Sequence, residues 1–264
     1  MKKIGLVLSG GGARGFAHLG LLQFINELGI KINAIAATSI GAVIGALYAK
    51  GKQPTEIMEL LKKKNYFGWS NLSINGSGLF SMDVLRDLLK EELGEDNFEA
   101  LPIPFFVATT DLNKGETIIF SEGKLFHTII ASASIPVLFK PTIIGEHVLV
   151  DGGLLNNFPI EPLLQRCDVI IGSHVNKVEE GMSSTSLFKT FNILERCFHL
   201  AISQAVHSKA GLCDVFIEPS LQPFDMYDIK QAEKIFDIGY QTAATFKKQI
   251  LDAVKEEKPA ALLA

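Results

Sequence analysis

Short apolar runs and amphipathic stretches alternate along the chain from its first residues. Lys3–Leu8 is an apolar run closed by Ser9 and three glycines, and it reads as a buried strand. From about Arg14 to Leu28, Phe16, Leu19, Leu22, Phe24, Ile25 and Leu28 recur at helical spacing, and Gly29 ends the pattern. Ile32–Ala37 predicts a second buried strand, and Gly41–Lys50 a second helix stopped by Gly51. A β-α-β-α opening of this kind implies parallel strands covered by helices.

Turn signals become denser further on. Pro54 starts a third helix, where its missing N–H costs nothing. Lys64–Phe80 has no strong period, is rich in Gly, Ser and Asn, and is long enough to be a functional loop or lid. Its Tyr66, Phe67, Trp69 and Leu72 suit core cover and a lipid port alike. Ser81–Leu93 predicts a helix ended by Gly94. Ile103–Thr110 and Glu116–Phe120 flank Asn113-Lys114-Gly115, a hairpin signal. Leu125–Ser132 reads as a helix that halts before Pro136, and Thr142–Ile144 and Val148–Val150 as strands around a tight turn. Asp168–Val175 and Cys213–Glu218 predict strands, Leu187–His207 and Ile229–Val254 helices. The expected fold is α/β, with a mainly parallel central sheet and helices on both faces. It is expected as a single domain over residues 1–254, with a frayed tail at 255–264.

Composition narrows the class. The 264 residues are 47% apolar and 20% charged, which supplies a core and excludes disorder. Twenty-five basic against 29 acidic residues give a net charge of −4, which argues against a nucleic-acid partner. Cys167, Cys197 and Cys213 form no CxxC pair, so neither a zinc site nor a disulfide framework is expected; the reading is thiols in a reducing compartment. The apolar run Ile4–Leu8 is shorter than the roughly 7–15 residues of a secretory core. Ala34–Ala49 is uncharged but short for a span and carries Thr38, Ser39, Gly41 and Gly45. A cytoplasmic protein is expected, touching membranes only peripherally.

Three motifs could carry chemistry. Gly10-Gly11-Gly12-Ala13-Arg14-Gly15 joins a strand to a helix and fits G-x-G-x-x-G. A dinucleotide site would need an acid at the end of the second strand, where Ala36, Ala37 and Thr38 stand. A phosphate loop of the Walker type would need Lys-Ser/Thr, where Phe16-Ala17 follow Gly15. A plain tight turn and an anion cradle remain, the cradle made of backbone N–H groups with a helix dipole behind them. Its anion could equally be the oxyanion of acyl transfer.

Ala37-Thr38-Ser39-Ile40-Gly41 lies where a strand turns into a helix, the setting of a G-x-S-x-G nucleophile elbow with Ala37 in the first glycine's place. Ser39 is also a natural helix N-cap, and the two roles are compatible. Asp151-Gly152-Gly153 follows a strand and reads as a turn or as a placed carboxylate; Asp111 reads as a turn. None of His18, His127, His147, His174, His199 and His207 sits in a local motif. A Ser-Asp-His order would be met by Ser39, Asp151 and His174, His199 or His207, the last two on a predicted helix.

Together the three motifs, in this order and spacing, resemble the patatin-like phospholipase family, in particular its small bacterial members. Ala131-Ser132-Ala133-Ser134-Ile135-Pro136 and Gly78-Leu79-Phe80 add to the likeness, which covers Lys3 to Asp168 well. The resemblance implies a Ser–Asp dyad at the C-terminal edge of the strands, with Ser39 as nucleophile and Asp151 as base. It places the oxyanion hole on Gly10, Gly11, Gly12, Ala13 and Arg14. Gly15, Ala37, Thr38, Ile40, Gly41, Gly152 and Gly153 complete the motifs. No metal or cofactor is implied. The implied substrate is a lipid or other acyl ester, such as a phospholipid or lysophospholipid, and a homo-oligomer is compatible with it. The rival readings are a Ser/His/Asp triad esterase, a non-enzymatic nucleotide- or anion-binding module built on Gly10–Gly15, and a catalytically silent scaffold.

Overall fold

Apolar residues on both faces of β1 (Ile4–Leu8) commit it to the middle of a sheet, and the computed structural model places it there. The structure describes residues 2–63, 82–178, 190–226 and 228–255. Strands β2 (Ala34–Thr38) and β7 (Val169–Ser173) flank β1 in parallel. Beyond them, also parallel, lie β3 (Phe105–Asp111) and β8 (Val215–Ile217). β4 (Glu116–Phe120), β5 (Thr142–Ile144) and β6 (His147–Asp151) add an antiparallel end, with β4 and β6 on β3 and β5 on β6. The sheet is therefore mixed, parallel in its centre.

Strand alternation divides the interior in two. Leu6, Leu8, Ile35, Ala37, Val107 and Ile171 enter the larger core, which α1 (Phe16–Glu27), α2 (Ile40–Ala49), α3 (Pro54–Lys63), α4 (Asp83–Leu93) and α5 (Leu125–Ser132) help to cover. α7 (Ala232–Thr245) and α8 (Lys247–Lys255) complete that layer. Val7, Ala36, Phe106 and Ile170 face the other way, against Phe158 and against Ile202 and Val206 of α6 (Thr190–Ala210).

Most element boundaries fall within about two residues of expectation, and the helices differ in kind at three places. Arg14 and Gly15 belong to a 3₁₀ turn (Gly12–Gly15) ahead of α1. The helix expected over Ile229–Val254 opens with a 3₁₀ turn and breaks at Phe246. At that break the Thr242 and Thr245 hydroxyls donate to carbonyls of their own helix, a competition that bends and ends helices. Lys64–Phe80 and the tail beyond Lys255 lie outside the described residues.

One detail of the topology places the functional site. β3 has three partners: β2 along Phe105–Ala108, β6 along Thr109–Asp111 and β4 along Val107–Asp111. β4 overlaps both of the others, so it takes one edge and they share the opposite one. β2 and β6 consequently meet end to end, C-terminus against C-terminus. Thr38 stands opposite Ala108, and Asp151 opposite Thr109, the next residue along β3.

Candidate active site

Ser39 follows β2 at φ 55° and ψ −126°, a left-handed conformation rare for a residue with a side chain. Its surroundings hold it there. The Thr38 hydroxyl donates to the Asn156 carbonyl at 2.9 Å, and the Ser39 N–H donates to Ser132 Oγ at 2.9 Å. Ser132 is itself tied to the Ala108 carbonyl at 2.7 Å. Gly41 lets the start of α2 lie directly on the end of β1, since a Cβ there would stand 2.5 Å from the Leu8 carbonyl oxygen. Gly15 leaves room for the side chain of Ile40 in the same way. Ser39 occupies the N-cap position of α2 but makes no capping bond. Its hydroxyl donates instead to Asp151 Oδ2 at 2.6 Å.

Asp151 ends β6. Its N–H donates to the Ser134 carbonyl at 2.9 Å, and its Oδ1 accepts the Gly153 N–H at 2.7 Å. The local turn and the placed carboxylate are thus one arrangement, with one oxygen capping the 3₁₀ turn Gly152–Leu154 and the other facing Ser39. Gly152 backs directly onto the Ala108 carbonyl. The pair is buried, Ser39 at 8% and Asp151 at 4% exposure. Burial pushes the Asp151 carboxyl up to about 6, against the opposing pull of the hydrogen bonds from Ser39 and Gly153.

The glycine loop passes beside Ser39. Three of its N–H groups have protein acceptors: Gly10 donates to Asn157 Oδ1 at 3.1 Å, Ala13 to the Met226 carbonyl at 2.7 Å and Arg14 to the Gly11 carbonyl at 3.2 Å. The N–H groups of Gly11 and Gly12 have none among the described residues. The Arg14 side chain reaches away from the loop, its Nε donating to the Phe224 carbonyl at 2.8 Å. A small apolar cleft of about 50 Å³ leads off from Ser39, walled by Gly12, Val43, Leu85, Ile135 and Phe139. A smaller void of about 10 Å³ is lined by Ser39, Asp151, Asn157, Asn176 and His199 together with Ile135, Ile202 and Met226. A much larger surface depression, about 760 Å³ around Ile30, Tyr48 and Pro102, contains none of the motif residues.

Among the described residues no histidine bonds to Ser39 or Asp151. His18 spans Ser173 and the Ser9 carbonyl, and burial lowers it to about 4. His174 pairs with Glu218 at 2.7 Å, and His207 contacts the same carboxylate. His199 lines the same small void as Ser39 and Asp151, but its Nε2 faces Met226 Sδ at 3.0 Å and burial lowers it to about 3.

The site also uses residues that sequence reasoning did not single out for a role. Ser132 lies in the Ala131–Pro136 stretch that adds to the family likeness. Asn157 closes the run after Asp151-Gly152-Gly153, which is a faint signal. Asn176 gives no signal at all, being one polar residue after a buried strand.

Residues 6–164 match the family described as patatin-like phospholipase. An uncharacterized NTE family protein of Mycobacterium tuberculosis is 36% identical over 269 residues, covering 92% of this chain and 46% of the relative. The neuropathy target esterase sws of Drosophila persimilis is 35% identical over 164 residues, covering 59% of this chain and 11% of that protein. The crystal structure of VipD from Legionella pneumophila superposes with a TM-score of 0.51 at 17% identity, covering 93% of this chain and 67% of that one, a likeness of fold. The chain spans about half the length of the mycobacterial relatives it matches.

Proposed function

The chain belongs to the patatin-like phospholipase family, and from that premise we propose that it is a serine hydrolase of fatty-acyl esters, acting on phospholipids or lysophospholipids. The observation that carries the reading is the 2.6 Å hydrogen bond from Ser39 Oγ to a buried Asp151 carboxylate. In acylation, Ser39 Oγ attacks the ester carbonyl and its proton passes to Asp151. The departing alcohol then takes that proton. In deacylation a water attacks the acyl-Ser39 carbonyl, and its proton returns through Asp151 to Ser39.

A carboxylate of ordinary pKa near 4 is a weak base for an alcohol. Burial, which raises Asp151 to about 6, brings it closer to the working range. The oxyanion would be held by the Gly11 and Gly12 N–H groups, the loop donors without another acceptor among the described residues. Losing one such donor costs about 3 kcal/mol of transition-state stabilisation. The apolar cleft beside Ser39 would take the first carbons of the acyl chain.

No helix among the described residues is long and apolar enough to cross a membrane. We place the enzyme in the cytoplasm with peripheral contact to lipid, a setting that the three free cysteines suit. The test is a lipid panel with wild type and Ser39→Ala, joined to a fluorophosphonate label. Hydrolysis of acyl lipids and labelling at Ser39, both lost in the variant, are expected. An unlabelled, inactive wild type would favour the anion-binding module instead.

A further inference from the structure

The small void beside the Ser39–Asp151 pair is lined by two asparagines that hold the same residue of the glycine loop from opposite ends. Asn157 Oδ1 accepts the Gly10 N–H at 3.1 Å, and Asn176 Nδ2 donates to the Gly10 carbonyl at 2.7 Å. These two bonds settle which way each amide faces. The remaining half of each amide, a donor on Asn157 and an acceptor on Asn176, is buried with no partner among the described residues. The residues themselves are 6% and 3% exposed. Leaving a buried amide group unpaired is costly, so two such groups on residues that line one void ask for a ligand.

The size and chemistry of the void say what that ligand is. Its volume of about 10 Å³ matches a single water-sized oxygen. Ser39 and Asp151 form its other polar wall. A water in this void would find a donor in Asn157 Nδ2, an acceptor in Asn176 Oδ1 and a base in Asp151. One donor, one acceptor and one base are what an attacking water requires.

We propose that Asn157 and Asn176 form the seat of the oxygen that leaves and then re-enters at the acyl carbon, first the ester's alcohol oxygen and then the hydrolytic water. The proposal rests on the serine-hydrolase reading and deepens it. In acylation the bond from the acyl carbon to the alcohol oxygen breaks in this seat, and Asp151 delivers to that oxygen the proton taken from Ser39. In deacylation the water oxygen bonds to the acyl carbon from the same seat and gives a proton to Asp151. The carbon–Oγ bond then breaks, and Ser39 receives that proton. Microscopic reversibility makes the two oxygens share one position, and the asparagines suit both because the pair offers one donor and one acceptor.

The experiment is pre-steady-state hydrolysis of a p-nitrophenyl ester by the whole chain, whose leaving group departs without a proton. In Asn157→Ala and Asn176→Ala both steps lose a Gly10 contact, and deacylation is expected to fall about tenfold to a hundredfold further than acylation, the loss of one or two more hydrogen bonds. The burst of p-nitrophenol should therefore slow less than the steady state, and its amplitude should rise toward one per enzyme. If the asparagines only hold the Gly10 loop, acylation and deacylation fall together, because the oxyanion site serves both, and the proposal is overturned. Asn157→Asp guards against misfolding. It keeps an oxygen for the Gly10 N–H but adds a carboxylate beside Asp151, so both rates fall, and deacylation should still fall more than acylation; an unaltered ratio of the two rates would also overturn the seat. A wild type with neither burst nor turnover would instead remove the hydrolase reading beneath it.

Discussion

Strands β1 and β2, which lead to the glycine loop and Ser39, are buried at every position, with packed side chains on both faces of the sheet. Strands β5 and β6, which lead to Asp151, lie at the sheet's end; Ile143 is 71% exposed and full burial begins only at Leu149. The strained backbone of Ser39 sits on the first arm and the relaxed Asp151 on the second. Such strain costs about 1–3 kcal/mol and persists only where the surroundings over-determine it. Less is demanded of the edge arm. It delivers a carboxylate whose position is set by two hydrogen bonds and by close contact of Gly152 with β3.

The most damaging way to test this comparison is to remove each arm's functional group. Ser39→Ala and Asp151→Asn should each lower ester turnover by at least about a thousandfold, and the double variant should be little worse than either. Additive losses would mean that the two arms do not act as one unit.

Acidity probes the aspartate arm alone. kcat/KM should fall about tenfold per unit as pH drops below about 6, where Asp151 takes up its proton, and stay level just above. Stability carries the opposite sign. A carboxyl raised from its ordinary value favours the fold while protonated, and that gain is lost as pH rises from about 4 through 6. Asp151→Asn, which cannot ionise, should therefore gain in Tm relative to wild type between pH 4 and pH 8. The full gap corresponds to about 3 kcal/mol at 1.36 kcal/mol per unit. A gap that does not change with pH would show that Asp151 is not held above its ordinary value.

Matched glycine substitutions compare the arms directly. Gly41→Ala presses a methyl onto the β1 backbone and should cost about 1–3 kcal/mol of global stability in denaturant unfolding. Gly152→Ala presses on the Ala108 carbonyl at the loose end, so β6 should shift, moving Asp151 from Ser39 and lowering turnover more than Tm. The reverse pattern would assign the rigidity to the other arm.

The smallest effects are expected at the histidines. His174→Gln, His199→Gln and His207→Gln should each keep turnover within about tenfold of wild type, His199 falling furthest because it lines the void beside Ser39 and Asp151. A thousandfold loss at any one of them, with folding intact, would replace the dyad by a triad.

Local pattern carried much of this molecule. The parallel centre was legible because β1, β2 and β7 are continuous apolar runs, the mark of strands buried on both faces. The Ser39 turn was legible because small residues flank it between a strand and a helix. The break at Phe246 was not, since it interrupts an otherwise continuous apolar period, beside two threonines whose hydroxyls bond back to their own helix. Nor were Asn157 and Asn176, ordinary polar residues whose meaning lies in the Gly10 backbone they share.

By itself, then, the sequence determined the elements, the buried centre and the three motifs, since those depend on neighbours a few positions away. Only the tertiary structure decided that Ser39 and Asp151, 112 residues apart, share a hydrogen bond. That depends on β6 running antiparallel along the same edge of β3 that β2 occupies, so that two C-termini meet at Ala108 and Thr109. No local pattern encodes which strand will take an open edge, because that choice is made by the packing of the whole sheet.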